Sequence, residues 1–266
     1  MARRQTSERR QSILDALNLH GRVQVDSLAR SLNTSEVTIR KDLSALEQAG
    51  NLIRRYGGAI SASNTAVDHT LTVVSPSPPL EVSVRKKEIG RYAAQQVKNH
   101  SRILIDFGTT TTAMIPHLNT REGLVVMTNS MRTAQEILSL EPAPTLLMTG
   151  GTWDTQTQSL QGQIAEQVLR SYDFDQLFIG CDGIDPARGT TTFNELTGLS
   201  KVMAESASEV IVVATTDKVG RRIPNLELPW SKINKLIIDV SLPIDARRNI
   251  EQQGVEIIIA TPDGEK

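Results

Sequence analysis

A single cysteine, Cys181, leaves this 266-residue chain without a disulfide framework or a Cys-based zinc site. Four scattered histidines argue against a His-rich metal centre. Aromatics are scarce, with Trp 2, Tyr 3 and Phe 4, so a core must be built from Leu, Ile, Val and Ala. No apolar run approaches the roughly 18–20 residues that span a bilayer. Met1–Ser7 lacks the apolar stretch of a secretory signal and leads into a charged helical pattern. The expectation is a soluble cytoplasmic protein with no membrane partner, no metal and no cofactor. What is present, 39% apolar and 22% charged residues, suits one or two packed domains and not a disordered chain.

Net charge is −1, but its distribution is uneven. Residues 1–60 carry ten Lys/Arg and six Asp/Glu, and the remainder carries nineteen and twenty-four. A basic head on an acidic body is expected when only one domain faces a polyanion, although an excess this modest also arises by chance. Between them, Ser61-Ala62-Ser63-Asn64-Thr65 and Ser75-Pro76-Ser77-Pro78-Pro79 lack apolar periodicity and read as an extended linker over 61–82.

In the head, Ile13, Leu14 and Leu17 predict a helix from Ser7 to Asn18. Asp26 caps a short helix with Leu28, Ala29 and Leu32, and Asn33-Thr34 makes a turn. Ser35 caps a third helix with Val37, Ile39, Leu43 and Leu46 toward the core, ended by Gly50. Leu52–Tyr56 reads as a strand, Gly57-Gly58 as a hairpin tip and Ala59-Ile60 as its return. A helix–turn–helix followed by a wing is a DNA-binding arrangement. Thr34, Ser35, Thr38, Lys41 and Asp42 then stand at the helix start that enters a major groove, and Arg40 reaches the backbone. Arg54, Arg55, Tyr56, Gly57 and Gly58 suit phosphate contacts or a minor-groove wing. The plainer alternative is a winged helix used for protein contacts.

From Ser83 onward, apolar runs recur at Ile103–Ile105, Leu124–Met127, Leu146–Met148, Leu177–Ile179, Val210–Val213, Leu236–Ile238 and Val255–Ile259. Helical stretches separate most of them, as at Lys86–Val97, Met131–Leu138, Ile164–Leu169 and Leu196–Ala207. Continuous apolar strands alternating with helices predict a parallel α/β sheet covered on both faces. Five strand ends carry small polar residues: Asp106-Phe107-Gly108-Thr109-Thr110-Thr111-Thr112, Thr128-Asn129-Ser130, Thr149-Gly150-Gly151, Gly180–Asp185 and Thr215–Lys218. Ligands bind at such ends in open α/β sheets. Gly108, the Thr109–Thr111 hydroxyls and the helix-start amides form a cradle suited to phosphate, or merely cap a helix. Asp182, Asp185, Asn194 and Glu195 offer acceptors to sugar hydroxyls, and Lys218 can meet a phosphate. For Asp182 and Asp185 an Asx-type turn is the structural alternative. Pro116 implies a short or kinked helix.

Ser35-Glu36-Val37-Thr38-Ile39-Arg40-Lys41-Asp42-Leu43, with Leu46-Glu47 and Arg55-Tyr56-Gly57-Gly58-Ala59, resembles the signature of the DeoR family of bacterial transcriptional regulators. Thr34 departs from it, where the family more often has an apolar residue. The resemblance continues through the five strand ends, Thr192-Phe193-Asn194-Glu195 and Asp217-Lys218, and so covers nearly the whole chain. Within the family, Thr6–Arg10, Leu147–Gly151, Gln158-Ser159, Gly162, Ala165-Glu166 and Thr190–Glu195 look most like repressors of glucitol, galactitol and N-acetylgalactosamine operons. The resemblance implies an α/β protein with an N-terminal winged helix–turn–helix and a C-terminal parallel α/β sensor similar to ribose-5-phosphate isomerase. It also implies double-stranded operator DNA and a sugar-phosphate effector as partners, and a homo-oligomer, dimer or tetramer. The effector set would be Asp106, Gly108, Thr109, Thr110, Thr111, Asn129, Ser130, Gly150, Gly151, Asp182, Asp185, Asn194, Glu195 and Lys218.

An isomerase with an accessory DNA-binding domain is the rival reading, because Asp182-Gly183-Ile184-Asp185 resembles that enzyme's acidic motif. The lysine and glycine-rich run that follow it in the enzyme are missing. This chain has Pro186-Ala187-Arg188-Gly189 and no lysine until Lys201. Carboxylates without the cation fit binding without turnover. A purely structural oligomerisation domain is a third reading, disfavoured by the polar strand ends.

Overall fold

A computed structural model describes residues 2–20, 22–32, 34–55, 58–61, 82–155, 157–193, 197–221 and 223–261. The chain divides into two compact units, Met1–Ser77 and Pro78–Lys266. Most of the expected linker, with Tyr56, Gly57, Asn194 and Glu195, lies outside the described residues. No helix among them is long and apolar enough to cross a membrane.

The first unit contains α1 (Ala2–His20), β1 (Arg22–Gln24), α2 (Val25–Ser31), α3 (Glu36–Gln48), β2 (Leu52–Arg55) and β3 (Gly58–Ser61). Its sheet is antiparallel in the order β1-β3-β2, so the wing gains a third strand from the α1–α2 connection. Ile13, Leu17, Leu28, Ile39, Leu43, Leu46 and Leu52 form the core. The first helix is longer than its apolar stripe predicts, and Asp26 lies inside α2 instead of capping it. The Ser35 hydroxyl does cap α3, accepting from the Thr38 N–H at 3.2 Å. At the other end Gly50 takes φ +74, its N–H bonds Glu47 O, and the Asn51 N–H bonds Leu46 O. That pair closes a Schellman motif, which needs a left-handed residue.

Val37 is a correction to the sequence reading. It is 59% exposed. Ile39, Leu43 and Leu46 define the buried stripe, and a residue two positions before Ile39 is turned about 200° away from it.

The second unit opens with α4 (Val84–Gln95), β4 (Arg102–Ile105) and α5 (Thr109–Thr112). Then come β5 (Val125–Thr128), α6 (Met131–Leu138), β6 (Thr145–Met148), β7 (Thr152–Asp154), β8 (Ser159–Gln161) and α7 (Gln163–Leu169). The remainder is β9 (Phe174–Ile179), β10 (Gly183–Asp185), β11 (Gly189–Thr192), α8 (Gly198–Glu205), β12 (Ala207–Ala214), β13 (Asn225–Pro229), β14 (Lys235–Ile238), α9 (Ile244–Glu251) and β15 (Glu256–Ile259). All seven predicted apolar runs become strands of one parallel sheet, ordered β15-β14-β12-β9-β4-β5-β6. Leu104, Leu177, Ile179, Val212 and Leu236 pack on one face with α7 and α8. Ile103, Ile105, Phe178, Ile211 and Val213 pack on the other with α4. Burial on both faces is why these runs do not alternate. Pro116 sits in a 3-10 turn, Ile115–His117, that breaks off α5 after one turn.

Candidate functional site

The chain starts the sheet at β4, builds outward through β5 and β6, then returns to the other side of β4 with β9. The switch point therefore lies between β4 and β9, where ligands bind in doubly wound sheets. Asp106 and Gly108 follow β4 there, and Cys181 and Asp182 follow β9.

Asp106 is buried, and its carboxyl accepts from Asn129 Nδ2 at 2.9 Å. Asn129 Oδ1 in turn accepts the Phe107 N–H at 3.0 Å. Burial pushes the Asp106 carboxyl up to about 7, against the downward pull of Asn129 and the Phe107 N–H. Asn129 is thus spent on holding the Asp106 loop. Ser130 caps α6, its hydroxyl accepting from the Thr133 N–H at 3.2 Å.

The threonine loop is less open than its sequence implies. The Thr111 and Thr112 hydroxyls both donate to Gly108 O at 2.8 Å, and Thr110 is 5% exposed. Gly108 itself takes φ +135, a region that side chains rarely adopt. The α5 helix spans four residues, too few for a macrodipole to build up. Charge for an anion must come from side chains.

Two lysines stand at neighbouring strand ends. Lys218, in the turn after β12, donates to Cys181 O at 2.5 Å. Lys86, on α4, donates to Thr109 Oγ1 at 2.7 Å. Burial and the Lys218 charge hold the Lys86 ammonium below its ordinary pKa, against the pull of Asp217. The Asp182 carboxylate accepts from Thr192 Oγ1 at 2.9 Å and the Phe193 N–H at 3.1 Å. Asp185 sits at the far end of β10, where it accepts the Ala187 N–H at 2.9 Å in an Asx turn. Arg188 approaches the same carboxylate at 4.0 Å. Cys181 packs against the core, and burial pushes its thiol up to about 12, so it stays protonated.

Gly150 and Gly151 follow β6 at the sheet edge, two strands from β4. A side chain on Gly151 would meet the Gln161 carbonyl and Ala165, so this glycine permits close packing of β8 and α7.

Neither Lys86 nor Glu227 is among the site residues read from the sequence. Glu227 of β13 is buried, receives the Ser200 hydroxyl at 2.9 Å on Oε1, and has no partner for Oε2 among the described residues. Burial, and then the charge of Asp106, push it up to about 8. A signal existed for each. Arg85-Lys86-Lys87 puts three cations at a helix N-terminus, where the macrodipole disfavours them. Leu226-Glu227-Leu228 puts an acid inside an apolar strand.

In the first unit, Ser35 and Lys41 are exposed, Thr34 and Thr38 are half-buried, and Val37 joins them at the start of α3. Asp42 does not. It is 2% exposed and holds Arg9 Nε at 2.5 Å and Arg10 Nε at 2.9 Å. It ties α3 to α1, and with both carboxylate oxygens buried and engaged by guanidinium groups it is not free to read bases.

Two family models match, the DeoR-like helix-turn-helix domain over residues 9–65 and the DeoR C-terminal sensor domain over 81–240. The chain belongs to the DeoR family of transcriptional regulators. This DeoR-family chain is 36% identical over 258 residues to a protein of Escherichia coli O157:H7 named as an aga operon transcriptional repressor, across 96% of this chain and 94% of that one. It is 32% identical to the HTH-type transcriptional repressor GlcR of Bacillus subtilis (strain 168), across 96% of this chain and 97% of that one. Ribose 5-phosphate isomerase from Plasmodium falciparum shares 17% identity over 51% of this chain and 52% of that one, with a TM-score of 0.38. At that score the likeness is no guide to chemistry.

Proposed function

We propose that this regulator represses a sugar- or polyol-catabolic operon in the cytoplasm and leaves its operator when a phosphorylated sugar binds the C-terminal unit. Residues 1–60 bind DNA, 61–82 link, and 83–266 sense and oligomerise as a dimer or tetramer. Thr34, Ser35, Val37, Thr38 and Lys41 face the major groove, while Arg40, Arg54, Arg55, Tyr56, Gly57 and Gly58 address the backbone or minor groove. Relatives named as repressors support repression as the outcome.

One observation supports the sensor reading: Lys218 donates to Cys181 O after β9, across the switch point from the β4 end that carries the Gly108–Thr111 loop, and the carboxyls of Asp182 and Glu227 act on the same Cys181. A phosphate needs the cation and donors, and sugar hydroxyls need the carboxyl acceptors. Asp185 serves its own turn, Asn129 and Ser130 shape the loops, and Gly150 and Gly151 frame the edge. Asn194 and Glu195 remain proposed hydroxyl acceptors. No turnover is expected, because Asp182–Asp185 is followed by Arg188 and not by the enzyme's lysine.

Operator affinity with and without hexose phosphates, in the parent and in Thr110→Asp, tests this. A carboxylate in the phosphate position should abolish release while DNA binding persists. Thr110 is buried, so Thr109→Asp, at a half-exposed position, is the companion variant. Release at the parent's ligand concentration in both would refute the phosphate site.

A further inference from the structure

We propose that Lys86 is a second ligand for the phosphate, and that α4 thereby reports occupancy of the site to the chain segment that leads into it. This rests on the sensor reading above and adds a residue and a route to it.

Helix α4 is the first described element after residues 62–81, and its first turn already touches three strand ends. Arg85 is hydrogen-bonded to Asp239 after β14 and stands 3.8 Å from Asp217 after β12. Asp239 is itself anchored, accepting the Thr216 N–H at 2.7 Å and the Thr216 hydroxyl at 2.6 Å. Lys86, about 100° further round the helix, reaches Thr109 after β4. Arg85 is therefore a fixed anchor to carboxylates of the protein, whereas Lys86 holds only a hydroxyl.

The acceptors are mismatched to the charges. Lys86 has the neutral Thr109 oxygen and Lys218 the neutral Cys181 carbonyl. Among the described residues neither lysine has a carboxylate in ion-pair range, and burial together with the Lys218 charge holds the Lys86 ammonium below its ordinary pKa. Asp217, whose charge acts on Lys86, is engaged by Arg85 and Arg221. The two ammonium groups, held by neutral oxygens at the neighbouring β4 and β9 ends, lack an anion. A phosphate between them relieves the repulsion and gains charge-assisted hydrogen bonds. Thr109 accepts from Lys86, so its own proton is left to donate to a phosphate oxygen.

Coupling follows from position. An anion shared by Lys86 and Lys218 ties the first turn of α4 to the β4 and β12 ends more tightly than the free protein does. A ligand with different affinity for the tied and untied states shifts the balance between them.

The experiment uses the full chain and inorganic phosphate, with chloride at matched ionic strength as the reference. Binding is measured by calorimetry, and amide exchange is followed over residues 84–95. The parent should bind phosphate and gain protection in α4. Lys86→Met and Lys86→Gln should each weaken binding at least about tenfold, the loss of one charge-assisted bond, and remove the α4 protection. Lys86→Arg should restore both, and Lys87→Met, at an exposed neighbour, should match the parent. If Lys86→Met and Lys86→Gln bind phosphate like the parent while Lys218→Met does not, this inference fails and the sensor site stands. If Lys218→Met is also unaffected, or the parent binds no phosphate, the sensor site fails with it. Normal weakening without α4 protection in the parent overturns the reporting role of α4.

Discussion

Asn129 and Asp106 lock two adjacent strand ends together: the amide donates to the buried carboxyl at 2.9 Å while its oxygen takes the Phe107 N–H at 3.0 Å. Three groups that would otherwise be buried unpaired satisfy one another. Asn129→Leu keeps the volume and loses both bonds, so a stability loss of about 1–3 kcal/mol is expected. Urea unfolding checks it. The same variant should lose its response to sugar phosphates, because the loop that follows β4 is no longer held. An unchanged midpoint would mean that water replaces the amide.

Stability should fall as pH rises through neutrality. Burial lifts Asp106 to about 7 and Glu227 to about 8. In the unfolded chain both ionise near about pH 4. Between those limits the folded protein holds protons that the unfolded chain lacks, so stability present at low pH is lost by up to about 1.4 kcal/mol per pH unit for each group. Glu227→Gln removes one of the two titrations. Thermal melts should show the variant gaining on the parent as pH rises from about 4 to about 8, and a constant difference above that. A parent that gains on the variant with rising pH contradicts the sign.

Asp42 should behave as a structural residue of the DNA-binding unit. Asp42→Asn weakens its bonds to Arg9 and Arg10 and should cost that unit about 1.5–3 kcal/mol. The rank order of operator variants should stay the same. A changed sequence preference with an unaltered melt would instead return Asp42 to the groove.

Thr38 and Arg55 should separate base reading from backbone binding. Thr38→Ala should change preference by about 1–3 kcal/mol at one base pair. Arg55→Ala should weaken all sequences alike and flatten the salt dependence. Gel shifts at several salt concentrations distinguish these outcomes, and parental behaviour in both variants would rule out the groove assignment.

Local chemistry was legible in the chain itself. Ser35 and Gly50 bound α3, and the seven apolar runs became the seven parallel strands, because capping and two-sided burial depend on residues near in sequence. The polar strand ends at Asp106 and Asp182 were legible for the same reason. Long-range partners were not. Asp42 looked like a surface polar residue until Arg9 and Arg10 came to meet it from α1. Val37 looked like core, since hydropathy does not say which side of a helix is covered. Lys86 and Glu227 are far in sequence from the loop after β4, and only the fold brings Lys86 to Thr109 and Glu227 into the field of Asp106. Tertiary structure also decided which threonines are free. The Thr111 and Thr112 hydroxyls turn inward because a buried hydroxyl must find an acceptor, and Gly108 O is the nearest.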